Sequence, residues 1–369
     1  MAKNMGLPSI DITFKEQGIS RIGRSERGIV ALLLQDKKVE GTFNVYNIGQ
    51  VPKELTEKNK EQVELALKGY VRSPRKVIVV VEKSDAAKVT LDLTSPAFKE
   101  LETLRWDFFT VPFIEKEDAE KVATWIKNQN DNYKKRCQAI LPNVKADYEK
   151  IINYTIEEVR SGEKTYKTNE YLSRIAGLIA GTPMQIAVTY APLPELDYCT
   201  VYNKEELTEK IGQGEFILMN DGEKIKVARG INSLTTTNQI KGDSFRKIKI
   251  ISIMDAMADD IEQTAEDSYL GKYANTYDNK CLLMSAILGY MEILENDSLL
   301  QPKMSSIGID LEAQKAFLDS MGYKTADGRT PDEMDLSEIK EADTKDKVFI
   351  AARCKILDAI EEIYLPITI

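Results

Sequence analysis

Between residues 28 and 141 the chain alternates apolar runs with stretches of helical period. Residues 28–35, 76–82, 108–112 and 136–141 are rich in Ile, Val, Leu, Ala and Phe, the pattern of strands buried on both faces. Residues 56–71, 96–104 and 117–130 lie between them and predict helices. Thr56 stands as an N-cap for the first, and Ala119, Val122, Ala123 and Ile126 share one face of the last. Strand and helix in alternation predict an α/β block around a central, partly parallel sheet. A further helix at 169–180 stops at Gly181 and Pro183, and Pro192 and Pro194 then mark a loop and a domain boundary.

Past that boundary, residues 215–219 and 224–228 flank Asn220, Asp221, Gly222 and Glu223 and predict a β-hairpin. Residues 245–253 predict a strand carrying Arg246, Lys247 and Lys249. Helices are predicted at 255–270, with Met257, Ala258, Ile261 and Ala265 inward, at 279–296 and at 310–320, and a strand at 347–353. Apolar and polar positions alternate near both ends: Ile10, Ile12 and Phe14 within residues 9–14, and Ile363, Leu365, Ile367 and Ile369 at the other. Pro366 cannot donate to a ladder, so the second of these belongs at a sheet edge. Neither end has an adjacent partner. An exposed strand of this kind invites aggregation in a monomer but fits addition to another subunit's sheet. Pairing within the same chain satisfies the sequence equally well.

Composition narrows the chemistry. A chain of 369 residues fits two or three domains, or one core with an insertion, and its net charge of −9 argues against a general nucleic-acid binder. There is no histidine, which removes Ser-His-Asp and Cys-His catalysis, HExxH zinc sites and imidazole bases together. Cys137, Cys199, Cys281 and Cys354 lack any metal-knuckle spacing and read as small buried hydrophobes. Gly23 and Gly28 have phosphate-loop spacing, but Ile29 and Val30 occupy the Lys and Ser/Thr places. Asp255, Asp259, Asp260, Glu262, Glu266 and Asp267 crowd one predicted helix; a metal or general-acid site is conceivable there, and a solvated acidic face is the preferred reading. The sequons at Asn153 and Asn296 are expected to be silent. No apolar leader follows Met1 and the apolar stretch 175–181 is too short to span a bilayer, so a cytoplasmic protein is expected.

An ordered series of short motifs carries a resemblance. It comprises AGLIAGTP at 176–183, GEFIL at 214–218, ARGINSLT at 228–235, IKIISIMD at 248–255, Asp259-Asp-Ile261, YLGKYAN at 269–275 and Asn279-Lys280. RGIVA at 27–31 and WDFFTVP at 106–112 precede it, and residues 310–342 match least. Taken in order, the series resembles the contractile tail sheath family, in the branch of Gram-positive myophages, PBSX-type defective prophages and diffocin-like R-type bacteriocins.

The resemblance implies a mixed α/β and α+β fold in two domains. Residues 1–27 would be an N-terminal arm belonging to an inner assembly domain, residues 28–187 an inserted outer α/β domain, and residues 188–369 the rest of the inner domain, ending in a C-terminal arm at 360–369. It implies a structural subunit without a cofactor, catalytic residues or metal, which stacks with itself in six-fold rings around a tail tube protein. Baseplate and tail-terminator proteins would cap the ends, with no direct contact to nucleic acid or membrane. Assembly in a bacterial cytoplasm, release by lysis, and contraction that drives the tube through an envelope follow from the same resemblance. Ile10, Ile12, Phe14, Ile363, Leu365, Ile367 and Ile369 would be the exchanged strands, and Val348, Ile350 and Ala352 a receiving strand. Lys241, Arg246, Lys247, Lys249 and Lys272 are nominated for the tube contact, because that contact is electrostatic and must release. A cytoplasmic α/β enzyme using carboxylates or lysines, and a non-contractile shell protein, are the alternatives.

Overall fold

The computed structural model describes residues 22, 27–86 and 88–368; the N-terminal alternation with Ile10, Ile12 and Phe14, and Ile369, lie outside them. Two compact units emerge. Among the described residues the larger comprises 27–260, 294–304 and 354–368, the smaller 22, 261–293 and 305–353. Residues 188–260 pack within the larger unit, together with residues 28–187.

The larger unit begins with β1 (Ile29–Asp36), β2 (Gly41–Val45), α1 (Glu57–Leu67), β3 (Lys76–Lys83), α2 (Pro96–Thr103), β4 (Phe108–Thr110), α3 (Lys116–Asp131), β5 (Gln138–Pro142) and β6 (Ile151–Tyr154). There follow β7 (Glu158–Ser161), β8 (Lys164–Lys167), α4 (Leu172–Ala180), β9 (Tyr198–Cys199), α5 (Lys204–Gly212), β10 (Glu215–Phe216), β11 (Leu218–Asn220) and β12 (Ile225–Val227). Seven strands form one sheet in the order β10-β6-β5-β4-β1-β3-β2, parallel throughout except for β2 at the edge. β1 sits between β3 and β4, so it needs apolar residues on both faces, and residues 29–34 are buried without a break. The chain reverses direction across the sheet after β3. Right-handed crossovers therefore place α2 and α3 on the face opposite α1. There Phe98 meets Trp125 edge-on at 5.1 Å, and Trp106 and Phe109 complete the cluster.

On the other face α1 and α4 pack against each other over β1, β3 and β4. Gly177 makes this possible: a Cβ there would lie 1.9 Å from the carbonyl oxygen of Ala66. The first glycine of the AGLIAGTP motif is thus a close-approach residue. The expected hairpin splits. Glu215 and Phe216 join the large sheet beside β6, whereas β11 and β12 pair across the Asp221-Gly222 turn, where Asp221 accepts from the backbone of Glu223 and Lys224. β7, β8 and β9 form a small sheet of their own.

The strand expected at 245–253 does not exist. A short 3-10 turn (Asp243–Arg246) leads straight into α6 (Ile248–Ser268). Ile248, Ile250, Ile251 and Ile253 are all buried, so packing overrides the β-preference of four isoleucines in six residues. α7 (Tyr277–Asn296), β13 (Ser306–Ile309), α8 (Leu311–Ser320), α9 (Leu336–Glu341) and β14 (Ile350–Arg353) follow. In the smaller unit Leu318, Met334, Ile339 and Ala342 form a compact core between α8 and α9. Asn275, from the YLGKYAN motif, donates to Thr344 Oγ1 and to the carbonyls of Lys345 and Lys347, fixing the loop before β14. Among the described residues no helix is long and apolar enough to cross a membrane.

Candidate assembly surfaces

The last residues of the chain are anchored and then released. Gln301 N–H donates to Lys355 O at 2.8 Å and Leu357 N–H to Leu299 O at 2.9 Å, an antiparallel bridge around Leu300 and Ile356. The anchor then passes to side chains. Glu361 is only 7% exposed at its side chain and receives Lys247 Nζ at 2.8 Å, Arg229 Nη2 at 3.0 Å and Thr189 Oγ1 at 2.6 Å. Lys247 also pairs with Asp358, and Arg229 with Glu362 at 3.4 Å. Burial alone would raise the Glu361 carboxyl, but hydrogen bonds from Lys247 and Thr189 and the charges of Lys247 and Arg229 hold it below the usual range.

Beyond this point the backbone has no ladder partner among the described residues. Ile363 (81% exposed), Tyr364 (87%), Leu365 (74%) and Ile367 (76%) face solvent. Among the described residues the alternating end joins no strand.

β13 and β14 pair antiparallel, Ser306 opposite Arg353 and Ile309 opposite Ile350, as a two-stranded ribbon. Ile350 and Ala352 lie in β14, whereas Val348 precedes it. Among the described residues neither outer edge of the ribbon pairs with another strand. Phe317 and Phe349, 5.2 Å apart, pack α8 against the segment entering β14.

The nominated basic residues turn out to be largely committed inside the subunit. Lys241 pairs with Glu149 at 2.5 Å, Arg246 donates to the carbonyls of Ile211 and Gly212 at 3.1 Å, and Lys247 holds the C-terminal segment. Lys249 is buried, and that burial lowers its ammonium pKa. Lys272 is exposed and donates to Asp267 O. Without the expected strand there is no basic strand end, and the five residues do not form one free patch.

The acidic helix is a solvated face only in its second half, where Glu262, Glu266 and Asp267 are exposed; its first half is committed inside the subunit. Asp255 pairs with Lys150, and Asp259 with Arg27 at 3.3 Å, Arg136 at 3.2 Å and Arg105 at 3.8 Å. Asp260 is buried as well. Among the described residues no cluster of three or more acidic or cysteine side chains could hold a metal. Cys137 and Cys199 are buried as expected, but Cys354 is exposed and Cys281 partly so. At the carboxyl end of β1, where doubly wound sheets commonly bind ligands, Asp36 is spent on structure. It accepts from the N–H of Lys38, the N–H and Oγ1 of Thr56, and Asn59 Nδ2. The sequence missed Arg229, Thr189 and Glu361, since the two arginine–glutamate partners are 132 residues apart and no local pattern marks them.

Residues 79–233 match the family model for the phage tail sheath protein central domain, and residues 240–369 that for the phage tail sheath C-terminal domain. The chain is 36% identical to the tail sheath protein of Clostridium phage phiCD119 over 367 residues, covering 97% of this chain and 98% of that one. It is 27% identical to the phage-like element PBSX protein XkdK of Bacillus subtilis over 182 residues, 48% of this chain and 39% of that protein. In fold it is similar to the contracted helical sheath of the anti-feeding prophage (TM-score 0.71, 12% identity, 99% of each chain). It is also similar to the sheath tail protein of Desulfitobacterium hafniense (TM-score 0.67, 16% identity, 82% of this chain and 94% of that one). The whole-length relative and the two matched domains lead to one conclusion: the chain belongs to the phage tail sheath protein family and is a structural sheath subunit.

Proposed function

We infer that this subunit polymerises into six-fold rings around a tail tube protein and that its C-terminal arm completes the β13–β14 ribbon of a neighbouring subunit. The observation carrying this reading is a match of two features incomplete among the described residues: an apolar-alternating end with no ladder partner there, and a ribbon whose outer edges are unpaired there. Main-chain hydrogen bonds supply affinity in such an addition, and Ile363, Leu365 and Ile367 can alternate across the new strand. Ile350 and Ala352 receive it, and Val348 flanks the site. Ile10, Ile12 and Phe14 serve the same purpose from the N-terminus, and Ile369 ends the C-terminal strand. A strand link tolerates rotation of the subunits it joins, so the lattice contracts without coming apart and drives the tube through an envelope.

Residues 28–187, which include most of the seven-stranded sheet, form the outer body, and the arms with the C-terminal part form the inner assembly layer. Tube contact is assigned near Lys272, the exposed member of the basic set. Baseplate and terminator proteins close the two ends, assembly takes place in the host cytoplasm, and lysis releases the particle.

The test is truncation with co-expression of a tail tube protein. Removing residues 1–15 or 362–369 is expected to leave folded, soluble subunits where the full chain gives sheaths by negative-stain microscopy. A truncated subunit that still forms normal sheaths overturns the strand-link reading.

A further inference from the structure

The root of each arm is tied by buried or half-buried charge to the same helix. At the C-terminal root the last ladder contact is Leu357; among the described residues, 358–362 are then held to the larger unit by Lys247 and Arg229 on Asp358, Glu361 and Glu362, with Thr189 on Glu361. Lys247 immediately precedes α6. At the N-terminal root Arg27 is almost fully buried. Its Nε lies 2.9 Å from Asp107, its Nη2 donates to Arg136 O at 3.0 Å, and its Nη1 pairs with Asp259 just past the third turn of α6. Asp107 in turn accepts from the N–H groups of Gly28 and Ile29 at 2.7 and 2.8 Å, locking the root to the start of the central strand. Lys247 and Asp259 are twelve residues apart, about 18 Å along a helix.

The geometry points to the first three turns of α6 as the strut that carries load between the two arms. The inference rests on the strand-link reading. A pull on the C-terminal arm would peel residues 358–362 away from the subunit unless the clamp on Glu361 holds. That clamp delivers the load to the N-terminal end of α6. Asp255, bound to Lys150 and Gln138, and Asp259, bound to Arg27, pass it on to the sheet and to the other arm. Ion pairs with low exposure suit this role, because breaking one leaves an uncompensated charge in a poorly hydrated place. Glu361, Lys247 and Asp259 are positioning residues here. They touch no neighbouring subunit in this reading and act by fixing where each arm leaves.

The experiment compares full-length sheaths formed with the tube protein, then contracted by urea and scored by electron microscopy. Glu361→Gln, Lys247→Met and Asp259→Asn are expected to assemble into extended sheaths that break into separate rings on contraction, while Lys247→Arg contracts intact. Loss of extended sheaths in a folded Glu361→Gln subunit, with Lys247→Arg still assembling, supports the same strut under assembly load. Glu361→Gln, Lys247→Met and Asp259→Asn sheaths that contract as whole as the wild type overturn it. So does a Glu361→Gln subunit that no longer folds, since the clamp would then belong to the fold alone. Deletion of 363–369 separates the two ideas: a deleted chain that still builds sheaths sinks the strand link itself, whereas intact contraction of the clamp variants sinks only the strut.

Discussion

Arg27 shows how much one side chain can matter at the start of a domain. Its guanidinium is buried against Asp107, Asp259 and the Arg136 carbonyl, and burial, which opposes its charge, is outweighed by Asp107, Asp255 and Asp259 so that its pKa stays raised. Truncation would strand Asp107 inside the protein with only the Gly28 and Ile29 N–H groups as partners. Arg27→Ala is therefore expected to cost about 3–5 kcal/mol, the range for a broken buried pair. Both tryptophans, Trp106 and Trp125, lie in the core of the larger unit, so urea unfolding followed by tryptophan fluorescence reads this directly. A loss below about 1 kcal/mol would place the pair with exposed ones. The residue stood inside a quoted motif, RGIVA, yet nothing in the sequence pairs it with aspartates 80 and 232 positions away. Long-range charge pairing leaves no periodic trace, which is why Arg229, Glu361 and the partners of Asp255 were equally invisible.

At the scale of elements, period and composition were readable wherever a strand or helix meets one uniform environment. β1, β3 and the helices α1 to α3 fell within a few residues of expectation because the sheet buries them in the ordinary way. The failure at 245–253 has the opposite cause. α6 begins buried on several sides, so no polar face marks its helical period. Short strands such as β6, β9 and β10, of two to four residues, are set by their neighbours in the sheet and carry too few positions to show a period. Glycines make the point testable. Gly177 and Gly289 are both helical, but an added Cβ would strike the backbone of Ala66 at the first and meet nothing within 4 Å at the second. Gly177→Ala is expected to lose about 1–3 kcal/mol through overpacking, and Gly289→Ala to gain about 0.5–1 kcal/mol by restricting the unfolded chain. Thermal unfolding of the two variants checks the pair, and equal shifts of the same sign would refute the packing argument.

For the whole molecule the absence of histidine becomes a statement about pH. No side chain here has an ordinary pKa between the carboxylates and the thiols. Hydrogen bonds to Lys38, Thr56 and Asn59 overcome the burial that would raise Asp36 and hold it at about 2, and Glu361 is lowered by Lys247, Thr189 and Arg229 against burial. In both cases the unfolded chain binds the proton more readily than the folded one. Their stabilisation is therefore complete above the unfolded carboxylate values, about 4, and is lost as pH falls through the folded ones. The melting temperature of the untagged subunit is thus expected to stay level from about pH 5.5 to 7 and to drop in acid. Asp259 is the group that can break this plateau. Burial raises its carboxyl despite Arg27, Arg105 and Arg136, and a raised carboxyl makes stability fall as pH rises through its folded value. A slope of that sign inside the plateau, abolished by Asp259→Asn, would mean that the N-terminal root of the strut is held by a protonated acid. A level curve means that Asp259 stays charged at neutral pH, as a clamp made of three arginines requires.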